Sequence, residues 1–110
     1  MAIRKSPESE WKIFRKLREV ALQRFCERIL AEAVELATGN RGSAHERYLQ
    51  LYRLIHKRDE EVGWAFNNPR RSQMIQQLAA IHSLGLLKPE ELERFTPKTC
   101  ETIRVLSGQS

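Results

Sequence analysis

The residues of this chain with ligand chemistry are its histidines, its acids and its cysteines. His45, Tyr52, His56 and Asp59 fall along one edge of a helical pattern, and Glu60, His82 and Cys26 would add further donors. A helical His-x-x-Asp or His-x-x-x-Glu pair can set two ligands on one side of zinc or another divalent cation. No two cysteines or two histidines stand at a recognised ligand separation, however. Polar residues at the border of a core also satisfy one another, or water, without any metal. No metal and no cofactor is therefore expected. A nucleophile–base pair cannot be assembled either: the chain has no Gly-x-Ser-x-Gly, no phosphate-cradling glycine loop and no dinucleotide fingerprint. Glu60-Glu61 and Glu90-Glu91 read as solvated charges on helix surfaces. An enzyme is not expected.

The turn from Trp64 to Ser72 carries a different chemistry. Arg70 and Arg71 fall in the first turn of a helix, where they oppose the positive end of its dipole at a local cost. A helix N-terminus flanked by two guanidinium groups suits a phosphate, so Asn68, Arg70, Arg71 and Ser72 are the candidate anion-binding residues. The competing reading has both arginines answering Asp59-Glu60-Glu61 or stacking on Trp64.

Helices must position all of these groups, because no segment alternates as a strand does. The four prolines, Pro7, Pro69, Pro89 and Pro97, sit where helices begin, and Ser6, Asn68 and Thr96 before three of them are good caps. Ser43-Ala44-His45-Glu46 is a capping box and opens a helix without proline. Gly39 and Gly85 follow apolar-periodic stretches, where a left-handed C-terminal residue belongs. The first helix is expected from Pro7 to Ala37, about 46 Å long, with Trp11, Phe14, Leu17, Ala21, Leu22, Phe25, Ile29, Ala33 and Leu36 in one stripe. The second, from Ala44 to Phe66, places Tyr48, Leu51, Tyr52, Ile55, Val62 and Phe66 on one face, with Gly63 as a weak point. The third, from Pro69 to Leu84, buries Met74, Ile75, Leu78 and Ile81. Two short helices follow, from Pro89 to Phe95 and from Pro97 to Leu106, carrying Leu92, Phe95, Ile103 and Leu106. The expected fold is all-α: an antiparallel bundle of three main helices, one unusually long, plus two short C-terminal helices. It forms a single domain over 1–110, with 1–6 and 107–110 loose.

Folding the second helix back about Asn40 covers the first only from about residue 15 onward. Trp11 and Phe14 are left to the C-terminal helices or to another molecule. With Trp64 and Phe66 they form the expected interface. Two charges fall inside apolar stripes: Arg18, about 40° from Phe14, and Asp59, about 20° from Tyr48. A buried ion pair between them is the expected outcome, since a lone buried charge is costly.

Composition bounds the rest. With 41% hydrophobic and 30% charged residues the chain is an ordinary globular one, and its longest aliphatic run is far too short to span a membrane. Cys26 and Cys100 have no paired spacing and read as reduced thiols, which places the expected location in the cytoplasm. The net charge of +5 is diffuse, with a mild excess in the middle of the chain, so it permits an acidic partner without demanding one. The segment from Leu84 to Phe95, with its Gly85 turn and its Pro89-Glu90-Glu91-Leu92 start, resembles the helix–turn–helix of short bacterial C-terminal oligomerisation domains. Generic capping writes the same string, so the resemblance adds weight to an interaction role and assigns no family. The expected function is a non-enzymatic interaction module. Its partner is itself, as a homodimer, or another protein, and it serves as an adaptor or regulatory accessory with no membrane role. The alternative is a nucleic-acid- or phosphate-binding protein using Arg70 and Arg71. A metal sensor or enzyme around His56 and Asp59 is the third reading.

Overall fold

The computed structural model describes residues 7–108, and every regular element in that span is helical. Helix α1 spans Pro7–Thr38, α2 Ala44–Phe66, α3 Met74–Ser83, α4 Pro89–Leu92 and α5 Pro97–Leu106, with a 3-10 turn at Arg71–Gln73 before α3. The fold is an all-α bundle; Pro7, Pro89 and Pro97 open helices as expected, whereas Pro69 does not, since α3 begins at Met74 after the 3-10 turn rather than at Pro69. Ser43 accepts from the Glu46 amide at 3.1 Å and starts α2, and Thr96 accepts from the Thr99 amide at 3.2 Å and starts α5. Gly85, at φ +72°, ends α3 in a Schellman turn: the Leu86 amide reaches the Ile81 carbonyl and the Gly85 amide the His82 carbonyl. Gly39 does not play that part. The left-handed glycine of the α1–α2 turn is Gly42, at φ +82°. Gly63 interrupts nothing, and its carbonyl accepts the Asn67 amide that closes α2. Of the ends expected to be loose, 1–6 and 109–110 lie outside the described residues, as does the Ser6 cap. Ser107 and Gly108 close the last turn of α5.

Helices α1 and α2 pack antiparallel from about Arg18 of α1 onward, α3 lies against both, and α5 packs on α3. The side chains that weld these layers are charged residues on α1, and most of their partners are backbone groups at helix ends. Arg18 donates through its guanidinium to the Phe66 carbonyl at the end of α2. Arg24 donates to the Leu86 carbonyl at 2.9 Å, and Arg28 to the Leu84 carbonyl at 2.7 Å, both just beyond α3. Glu10 accepts the Thr96 amide at the start of α5. Cations at C-terminal carbonyls and a carboxylate at an N-terminal amide satisfy groups a helix cannot satisfy itself, and agree with its dipole.

These contacts gather the core at one end of the molecule. Phe14, Leu17, Ala21 and Phe25 of α1 meet Ala65 and Phe66 of α2, Leu78 and Ile81 of α3, and Leu92, Phe95 and Ile103 beyond. Between Phe25 and Ala65 no residue is buried. Helix α3 follows α1 only as far as Arg28, so the rest of the hairpin projects as two helices without a third. The molecule measures 64 × 24 × 21 Å, and its radius of gyration of 17.1 Å exceeds the roughly 13 Å of a compact chain this long.

Candidate interaction surface

The expected interface around Trp11 and Phe14 is closed. Phe14 is fully buried, and Trp11 packs on it with ring centroids 5.3 Å apart while the Arg71 guanidinium covers the indole at 5.3 Å. The reason is the path of the chain after α2. Asn67 and left-handed Asn68 (φ 49°) reverse it, so that α3 and the start of α5 come back to the N-terminal part of α1 that α2 does not reach. Phe66, also placed in the interface, is buried against Phe25 instead. Only Trp64 of the four remains exposed, at 61%. It sits beside Gln76, Ala80 and Leu106 in a shallow groove between α2, α3 and α5.

The anion-binding candidates are dispersed in their roles. Arg71 forms a salt bridge with Glu8 at 3.0 Å while it covers Trp11, so it is engaged, though not with Asp59, Glu60 or Glu61 as the competing reading had it. Arg70, Asn68 and Ser72 are exposed, and the 3-10 turn that begins there has no side-chain cap. The expected Arg18–Asp59 pair does not form. Arg18 lies level with the end of α2, where the Phe66 carbonyl is the nearer acceptor, and Asp59 stays exposed with no ion pair among the described residues. Of the ligand-type residues, His56 meets Glu60 at 3.4 Å and stacks on Tyr52, and His45 stacks on Tyr48. No three His, Cys, Asp or Glu among the described residues gather as a metal site would need. Cys26 and Cys100 form no disulfide with each other, and the Cys100 thiol donates to the Leu92 carbonyl at 2.8 Å.

What the structure exposes is the distal hairpin. Glu32, Glu35, Gln50 and Leu54 line a groove on one flank, where Arg58 bridges Glu32 at 3.1 Å and Glu61 at 2.6 Å. These carboxylates, Glu32 first, hold the Arg58 guanidinium charged more firmly than usual. At 100° per residue, Leu30, Ala33 and Ala37 of α1 then emerge on the opposite flank together with Tyr48, Leu51 and Ile55 of α2. There Leu30, Val34, Tyr48, Tyr52 and Ile55 are 45–65% exposed, though the periodicity of α2 assigned Tyr48, Tyr52 and Ile55 to a buried face. Sequence reasoning missed this surface because a helix phase gives the apolar side without saying whether anything lies against it.

No family model, no curated protein and no solved structure matches the chain. No helix among the described residues is long and apolar enough to cross a membrane.

Proposed function

We propose that this protein is a non-enzymatic helical interaction module, an adaptor or regulatory accessory that docks through the open flank of its α1–α2 hairpin. One observation carries the reading: between Phe25 and Ala65 no side chain is buried, yet that stretch holds five exposed large apolar residues on a helix pair. A helix stripe is stable when something covers it, and a two-helix hairpin has no layer left to do so. The covering element is a second copy or another protein, and the surface it meets is apolar at its centre with charges at its border, as interfaces are. The test is a photo-crosslinking phenylalanine analogue at position 52 in the host cell, with one at Lys98 as control. Crosslinks to protein from position 52 and none from position 98 are expected. Silence at position 52 would remove the reading.

A second reading, binding to nucleic acid, draws on one feature. Lys12, Arg15 and Lys16, with Glu19 beside them, form an exposed ridge on α1 without ion pairs among the described residues, and Arg70 is a further exposed cation. Such a ridge binds phosphates with a steep dependence on salt. Affinity for DNA or RNA that fell with rising salt, and fell again on replacing Lys12 and Lys16 by Gln, would establish it.

A further inference from the structure

We infer that the occupant of the hairpin's open flank is a second copy of this chain, packed face to face with the two hairpin tips pointing in opposite directions. The result is an antiparallel four-helix bundle. The inference rests on the interaction reading above and supplies its partner.

Area is the first argument. Five residues at 45–65% exposure present about 600 Å² of accessible surface, already at the upper limit for a patch on a monomer. With the half-buried borders at Cys26, Ala33 and Leu51, the flank approaches the roughly 800 Å² that each partner gives to a stable interface. A flank of this kind is self-complementary in shape: two flat helix pairs stack as the two layers of a four-helix bundle, and a two-fold arrangement satisfies both copies at once.

Charge fixes the direction. The contacts of Arg18 with Phe66, and the shared groove of Leu36 with Gln50 and Leu54, set Cys26 at about the height of Asp59 and Leu30 at about that of Ile55. The apolar flank therefore ends at Asp59 and Glu60 on one side and at the tip, with His45, on the other. All three residues are exposed. Its middle on α2 is Tyr52. A two-fold axis at that height, with tips opposed, brings Asp59 of one copy to His45 of the other, seven residues either side of the axis. With tips side by side, Asp59 would instead lie over the Cys26–Glu27 end of the other α1, where the nearest charge has the same sign. An imidazole facing the Asp59 carboxylate, in place of a second carboxylate, selects the first arrangement, because like charges facing each other are costly.

The experiment is light scattering and analytical sedimentation of the full chain from about 1 to 300 µM, a range over which mass action resolves a dimer of ordinary affinity. A dimer is expected at the upper end. Tyr52→Glu, which would set two carboxylates against each other at the axis, should weaken it at least about 100-fold while circular dichroism stays unchanged. Asp59→Arg should weaken it about tenfold, and His45→Glu in the same chain should restore most of that loss. A monomer across the whole range, or a dimer indifferent to Tyr52→Glu, overturns the inference. Capture of a different protein by the crosslinker at position 52, with the purified chain monomeric, would sink the second copy and leave the docking flank standing. No crosslink and no dimer would remove both.

Discussion

Arg24 joins α1 to the turn between α3 and α4, and its removal gives a worked test of how the C-terminal helices are held. Its guanidinium makes a two-pronged contact with Glu91, at 2.7 and 2.9 Å, and also donates to the Leu86 carbonyl at 2.9 Å. The same Glu91 carboxylate accepts the Lys88 amide at 2.8 Å and so caps α4. The side chains are 30% and 12% exposed, which makes this the least exposed ion pair among the described residues by its carboxylate. Arg24 is the main reason that the Glu91 carboxyl titrates below the usual carboxylate range, with the Lys88 amide helping and burial opposing. Hydrogen bonds to charged groups are worth about 1.5–3 kcal/mol each when buried, and partial exposure screens part of that. For Arg24→Met, which keeps the packing of the stem, we expect a loss of about 2.5 kcal/mol. In a domain of this size that lowers Tm by about 12 °C. The assay is urea and thermal unfolding followed at 222 nm, at one fixed protein concentration, for Arg24→Met, Glu91→Gln and the double variant. A coupling energy of about 1–1.5 kcal/mol is expected at pH 7. Because the folded pKa of Glu91 is depressed, its contribution is complete above the unfolded value of about 4.3 and is lost as pH falls through the lower folded value. The coupling should therefore shrink toward pH 2–3. A coupling below about 0.5 kcal/mol at pH 7, or one that acid leaves untouched, would refute this account of the junction.

Four further substitutions separate the closed end of the molecule from the open one. Phe66→Ala should cost about 3–4 kcal/mol, whereas Trp64→Ala, two residues away and exposed, should stay within about 0.5 kcal/mol; equal effects in denaturant unfolding would show that the core is misplaced. Gly85→Ala should cost about 1 kcal/mol through its left-handed backbone alone, since no atom lies within 4 Å of the added methyl; a neutral result in the same assay would show that the Schellman turn does not hold there. Ser43→Ala should cost about 1 kcal/mol by stripping the cap from α2, with faster amide exchange confined to the first turns of that helix; faster exchange spread through α3 and α5 would contradict a local role.

The helices and most of their ends were legible in the sequence because their signals are local. Ser43, Thr96, Pro97 and Gly85 act within one turn of the backbone, and each acts where its chemistry says. The α1 stripe from Trp11 to Leu36 was legible too, since every member is buried or half-buried. Tertiary choices were not. Nothing in the period of α2 says that Phe66 is covered while Tyr48 and Tyr52 are open; that depends on how far α3 runs along α1. Arg18 was read as a charge needing an opposite charge, but its acceptor is the last carbonyl of α2, a group present in every sequence and visible in none. Arg24 and Arg28 carry the same lesson. They lie four residues apart at the edge of the stripe, and that spacing is the one signal that could have marked them as clasps rather than solvated charges.

We propose that the distal hairpin is completed by what docks on it, while the rest of the protein completes itself. Amide hydrogen exchange of the wild-type chain at about 300 µM, compared with Tyr52→Glu, tests this directly, because exchange reports local opening segment by segment. We expect residues 26–37 and 44–56 to be protected in the wild type and to lose protection at least about tenfold in the variant, with α3, α5 and the segment from Phe14 to Phe25 unchanged. Equal protection of the distal hairpin in both proteins would show that the open flank is stable uncovered, and would contradict the account.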